Sequence, residues 1–221
     1  MELYLYYSVL FVVSLCATWW IFKKVLNIAK LKNIVDNPDA RKLQRVPVPV
    51  LGGIAVFFGM IVAFAVAGVF YNVSNMFAMI CVMSIMLYVG TMDDIIGLTP
   101  RTRFFIEIIV VLLLICANDY SINNFHGLWG IYEIPQWIAV PLTVFACVGI
   151  INAINLIDGV NGLSSGYCIM ACLIFGFGFI LSGDVNIASL AVLSVGALIP
   201  FFCHNVFGKS SKMNCYFLLS T

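Results

Sequence analysis

The chain has 221 residues, of which 63% are hydrophobic and only 10% charged, with a mean hydropathy of +1.08 and a formal net charge of +1. Soluble domains carry about 25% charged residues, so this composition excludes a water-soluble enzyme and indicates an integral membrane protein. The near-neutral charge offers nothing to a nucleic acid, and eight cysteines without a Cys-x-x-Cys pair, beside His126 and His204 as the only histidines, give no zinc or disulfide framework.

Apolar runs at about 3–22, 51–70, 76–92, 104–117, 137–151, 163–181 and 187–203 predict seven membrane spans, several shorter than the roughly 20 residues that a perpendicular helix needs. The runs are continuous rather than alternating, so helices are expected and barrel strands are not. The expected fold class is an all-α polytopic transmembrane helix bundle, one domain over residues 1–221. The first run lacks a basic segment before it and is followed by seven cations, which marks a retained span and not a cleaved signal. The 118–136 stretch, with Gly127, Gly130 and Pro135, predicts a small turn or hairpin at the surface.

Cations set the orientation. Lys23, Lys24, Lys30, Lys32, Arg41, Lys42 and Arg45 fall between spans 1 and 2, Arg101 and Arg103 between 3 and 4, and Lys209 and Lys212 after span 7. The alternate connections carry Asp119, Glu133 and Asp184 and no cation. The positive-inside rule then predicts an external N-terminus, a cytoplasmic C-terminus and cytoplasmic segments at 23–50, 93–103 and 152–162.

Those three segments hold the polar chemistry. In the first, Arg41, Lys42 and Arg45 lead into Pro47-Val-Pro49 and Gly52-Gly53, a rigid approach followed by residues that let a backbone come close to a ligand. Such cations serve either anionic lipid attraction or phosphate binding. The second begins on Asp93 and Asp94 at the foot of a hydrophobic run, where paired like charges are costly and mark a functional site. It returns through Thr99, Pro100, Arg101 and Arg103, with Thr99 as the expected cap of the next helix and Glu107 placed to pair with Arg103 four residues earlier. In the third, Asn152, Asn155 and Asp158 are spaced by three, one polar stripe on an otherwise apolar helix that Gly159 and Gly162 break. Gly162 and Gly166 also make a face for close helix packing. Hard oxygen donors of this kind suit Mg²⁺ holding a diphosphate, with Mn²⁺ as the alternative.

The run Asn152-Ala-Ile-Asn155-Leu-Ile-Asp158-Gly159-Val-Asn161-Gly162-Leu163, with Gly90-Thr-Met-Asp93-Asp94 and Pro47-Val-Pro49-Val-Leu-Gly52-Gly53, resembles the polyprenyl-phosphate N-acetylhexosamine-1-phosphate transferases over about residues 30–206. Within these, the pattern is closer to the bacterial enzymes that start envelope polysaccharides than to the peptidoglycan translocase. The resemblance implies transfer of a sugar 1-phosphate, N-acetylglucosamine 1-phosphate first among the choices, from a UDP-N-acetylhexosamine to a polyprenyl phosphate in the bacterial inner membrane, with release of UMP. It implies Asp93, Asp94 and Asp158 as catalytic residues, with Asp94, Asn155 and Asp158 as metal ligands. Arg41, Lys42, Asn152, Asn155 and Asn161 become substrate-binding residues, and a homodimer is left open. Asn161 stands where the family often has Asp, and Gln44 where it often has His. After Asp184 the chain contains no acid, whereas the family continues into a Gly-Asp motif, so a domain incomplete at its C-terminus and little turnover from these 221 residues alone are expected. The competing readings are a non-catalytic remnant or partner subunit and, from another class, an ion-coupled transporter, which wants its acids near the bilayer midplane.

Overall fold

The computed structural model describes residues 2–32, 35–36, 48–49, 51–158 and 162–207. Among these, seven long helices account for almost all of the ordered backbone: α1 (Glu2–Leu31), α2 (Gly52–Phe70), α3 (Phe77–Ile96), α4 (Pro100–Asn118), α5 (Gln136–Ile157), α6 (Leu163–Ser182) and α7 (Val185–Phe207). A two-residue antiparallel pair, Val35–Asp36 with Val48–Pro49, is the one ladder among the described residues. Six of the helices are long and apolar enough to cross a membrane. The exception, α4, carries Arg101, Arg103 and Glu107 in its first eight residues.

The helices outrun the apolar segments that predict them. α1 continues nine residues past the run ending at 22, because Lys23 to Leu31 contains no Gly or Pro and keeps a buried face, Leu26 in the main core and Ala29 against Leu51. Lys23 and Lys24 therefore ride the exposed side of a helix and not a connecting loop, with Lys24 Nζ 3.6 Å from the centre of the Trp20 ring. At about 1.5 Å per residue the helix is some 45 Å long, against a hydrocarbon layer of about 30 Å, so its basic end extends beyond the apolar zone. The same correction applies to Asp93 and Asp94, which belong to the last turn of α3, whereas Asn152 and Asn155 lie inside α5, on the helix that their spacing predicts. The connection between α3 and α4 shrinks to residues 97–99.

Packing is tightest among α1, α2 and α7, with α6 laid on α7. The reason is residue size. A side chain at Gly59 would meet Thr18 and the Ser14 carbonyl oxygen of α1, and one at Gly196 would meet Ser14 and the Phe11 carbonyl oxygen. Without a Cβ at either position, α2 and α7 approach the α1 backbone from two sides, as small residues permit in lipid. Phe22 and Phe201, both fully buried, pack edge to face below this seam. α3, α4 and α5 form a second, looser set around Val111, Ile115 and Val148.

The expected hairpin is present between α4 and α5. Asn124 bridges Glu133, and the tip turns through Leu128–Gly130. It is tied to α5 by the Ile122 amide, which donates to Thr143 Oγ1 at 2.8 Å.

Candidate functional site

The site is assembled where α3 ends, α4 begins and α5 ends. Thr99 caps α4, its hydroxyl accepting from the Thr102 amide at 3.3 Å with Pro100 in the first turn. This fixes the direction in which Arg103 leaves the helix. The guanidinium then makes three contacts with residues on three helices. Nη1 donates to Asp93 Oδ2 of α3 at 3.3 Å, Nη2 to Asn152 Oδ1 of α5 at 3.0 Å, and Nε to Glu107 Oε1 one turn along α4 at 3.2 Å. Asn152 Nδ2 closes the circuit by donating to Glu107 Oε2 at 2.5 Å and to the Val148 carbonyl at 2.9 Å. The other oxygen of Asp93, Oδ1, accepts from the Leu98 amide at 2.9 Å.

Two carboxylates and one guanidinium thus meet at helix ends, with Glu107 only 1% exposed. A charge so buried is costly unless it is paired and hydrogen-bonded, and both Glu107 oxygens are. Beside this cluster an open cavity of about 490 Å³ is lined by Asp93, Leu98, Pro100, Arg101, Arg103, Phe104 and Asn152. Arg101 stands exposed at its edge, and Asp94 is exposed in the last turn of α3.

Asp158 lies just past α5, six residues and so roughly 9 Å along the axis from Asn152. It is 7% exposed, and Ser164 Oγ of α6 donates to its Oδ1. Burial pushes this carboxyl up to about 6, the Ser164 hydrogen bond opposing the shift. Gly162, at φ +72°, turns the chain into α6, and its Cα side faces Val206 and Phe202 of α7, so a side chain there is excluded twice over. Gly166 packs on the same Phe202. The packing role foreseen for these glycines is therefore real, and it also aims Ser164 at Asp158.

The structure brings Asp93 and Asn152 together through Arg103 and seats Asp158 separately against α6. Arg41, Lys42, Gln44, Gly159 and Asn161 lie outside the described residues. The pairing of Arg103 with Glu107 follows from their i,i+4 spacing, but the joining of both to Asn152 across 45 or more residues leaves no local signal. Ser164 gave none either. Among the described residues no three His, Cys, Asp or Glu side chains converge on one point. A closed protein cage for a cation is therefore absent there.

A sequence model of the family described as Glycosyl transferase family 4 matches residues 76–212, more than half of the chain and all of α3 to α7. The chain belongs to this family. It is 32% identical over 198 residues to the "Probable undecaprenyl-phosphate N-acetylglucosaminyl 1-phosphate transferase" of Bacillus subtilis (strain 168), covering 89% of this chain and 55% of that protein. The "Undecaprenyl-phosphate alpha-N-acetylglucosaminyl 1-phosphate transferase" of Yersinia pestis is 28% identical over 179 residues, 78% of this chain and 47% of the relative. That of Escherichia coli (strain K12) is 24% identical over 189 residues, 84% and 51% respectively. The chain spans about half the length of the curated relatives it matches. Family membership supports the resemblance read from the three motifs, two of which, at 90–94 and 152–163, fall inside the matched region. The Pro47-to-Gly53 motif and the Arg41–Lys42 pair fall before it.

Proposed function

We propose that this chain transfers N-acetylhexosamine 1-phosphate, N-acetylglucosamine 1-phosphate in the first instance, from a UDP-sugar to a polyprenyl phosphate at the cytoplasmic face of a bacterial membrane. The observation that carries the reading is the Asp93–Arg103–Asn152 cluster beside an open cavity, set at one end of membrane-length helices in a family 4 chain. A phosphate-bearing lipid and a water-soluble nucleotide can meet only where hydrocarbon gives way to polar surface. A transporter site, by contrast, wants its acids in the middle of the span, and Asp93, Asp94 and Asp158 all stand at helix ends.

In the reaction an oxygen of the lipid phosphate attacks the phosphorus that carries the sugar. A new P–O bond forms, the P–O bond to UMP breaks, and UMP leaves with the electron pair. Such transfers gain most of their acceleration from positioning and from charge stabilisation. Arg101, at the cavity edge, is placed to neutralise diphosphate oxygens, and the exposed Asp94, adjoining Asp93 in the last turn of α3, to take a proton from the lipid phosphate. Asp94, Asn155 and Asp158 all offer oxygen donors, which is the chemistry that Mg²⁺ selects. Mg²⁺ commonly takes one or two carboxylates and completes its shell with water and substrate phosphate, so a partial set suits it. When bound, the ion supplies positive charge to the migrating phosphoryl group.

The test is transfer in membranes carrying the chain joined to the C-terminal half of the Bacillus subtilis relative, because little turnover is expected of the 221 residues alone. Sugar-labelled UDP-N-acetylglucosamine with polyprenyl phosphate and Mg²⁺ should yield a labelled lipid and an equal amount of UMP, and Asp158→Ala should abolish both. An inserted chain that produces neither product overturns the reading.

A further inference from the structure

We infer that Glu107, Arg103 and Asn152 form a positioning relay that holds Asp93 across α3, α4 and α5. Its role in catalysis rests on the transferase reading above; its role in holding three helices together does not. Asp93 has both carboxylate oxygens engaged, Oδ1 by the Leu98 amide and Oδ2 by Arg103. Arg103 in turn is oriented at three corners of its planar fork, each directed to a different residue. A guanidinium anchored in this way cannot pivot without breaking a charge-assisted bond.

Glu107 is the anchor. It lies two turns inside α4, fully enclosed, where its charge has no solvent to fall back on. Its Oε1 takes Arg103 and its Oε2 takes Asn152, and Asn152 returns its carbonyl oxygen to Arg103. The result is a closed ring of three side chains in which each link joins a donor to an acceptor. Asn152 therefore turns both polar ends of its amide into this ring. Glu107 does not itself line the cavity but bonds to two residues that do, Arg103 and Asn152, so it is a positioning residue and not a catalytic one. The relay gives Asp93 the work of registering α3 against α4 and α5 at the cavity wall, while Asp94, next in the chain, is exposed in the last turn of α3.

The ring can be broken by two single substitutions that shift its net charge in opposite directions, and rebuilt in a double variant that restores it. In E107Q the new amide nitrogen faces the Asn152 amide nitrogen, donor against donor. In N152D two carboxylates face each other. In the E107Q/N152D double variant the new amide donates to the new carboxylate and Arg103 still finds an acceptor on each, so the three links of the ring are restored and only the Asn152 bond to the Val148 carbonyl is lost. Spin labels at Ile95→Cys and Ala153→Cys, both exposed sites at the ends of α3 and α5, in a background without native cysteines, would report the spread of distances between these helix ends. The wild-type relay should give one narrow distribution, each single variant a broadened one, and the double variant a narrow one again. In the transfer assay each single variant should lower kcat on the order of a hundredfold, the usual cost of misplacing a reacting group by about 1 Å, with KM for the UDP-sugar little changed. The double variant should recover at least a tenth of that loss. Unchanged distances in both single variants, or a double variant as broad as the worse single one, would overturn the relay. A relay that behaves as expected in a chain that transfers no sugar phosphate would overturn only the transferase reading. Restored distances without restored kcat would show a structural tie and overturn the catalytic part of the inference.

Discussion

Asp158 combines a carboxyl group, 7% exposure and a single hydroxyl partner, and its protonation equilibrium follows from that setting. Burial raises it to about 6, above the ordinary carboxylate value of about 3.8. A raised folded-state value means that the folded protein binds the proton more tightly than the unfolded chain does. Stability is therefore greatest below about pH 4 and falls as the pH rises through the window up to about 6. The full shift corresponds to about 3 kcal/mol. In the presence of a chelator, Asp158→Asn should accordingly raise the thermal midpoint at pH 7.5 and leave it nearly unchanged at pH 4, as followed by scanning fluorimetry. A variant less stable than wild type at pH 7.5 would show that the carboxylate is compensated by something other than Ser164. If this residue also holds the cation of the proposed reaction, the same substitution should remove stabilisation by UMP with Mg²⁺, which the wild-type chain should show. Stability given up at a buried acid is then a cost of function.

Close approach is what the α1–α2–α7 set depends on, and that dependence is specific to position. Gly196→Val would drive two methyl groups into Ser14 and the Phe11 carbonyl. Overpacking of this kind costs about 1–3 kcal/mol, so the variant should unfold earlier in detergent. Gly178 in α6 is the control, since a Cβ there meets nothing within 4 Å. Replacing it with Ala should be neutral or stabilising, by up to about 1 kcal/mol, because Ala is the better helix former. Equal losses from the two substitutions would mean that the seam between the helices is not the site of tight packing. α4 illustrates the opposite case, an element whose sequence resists burial in lipid. Its three early charges disqualify it by composition, yet Arg103 and Glu107 satisfy each other and reach both neighbouring helices. Ionisable groups at membrane depth are expected to pair in just this manner.

At the scale of the molecule, the cations among the described residues lie at one end. Lys23, Lys24 and Lys32 close α1, and Arg101 and Arg103 open α4, on the same side as the end of α5 through the bonds of Arg103. We expect that end to face the cytoplasm, where UDP-sugars are made. A single cysteine at Thr99, in a background free of other thiols, should react with a membrane-impermeant maleimide only after the cells are opened. Reaction in intact cells would reverse the orientation and remove the UDP-sugar from reach of the site. A second label at Trp129, on the hairpin between α4 and α5, should behave in the opposite way.

Composition and periodicity determined a good deal here without any coordinates. Continuous apolar runs can be satisfied in lipid only as helices, which gave the position of all seven long elements, and the cap at Thr99 and the Arg103–Glu107 pair follow from spacing within one helix. Helix ends were less legible, because a helix continues wherever its backbone bonds can be satisfied, whether or not its residues are apolar. That is why α1 overran to Leu31 and why Asp93 and Asp94 sit within α3 and not after it. Only the tertiary structure decided that Arg103, Glu107 and Asn152 close a ring with Asp93, and that Asp158 turns to Ser164 instead. Both results depend on which helices lie side by side. That is set by the summed fit of small residues and buried charges between distant segments, which local sequence does not carry.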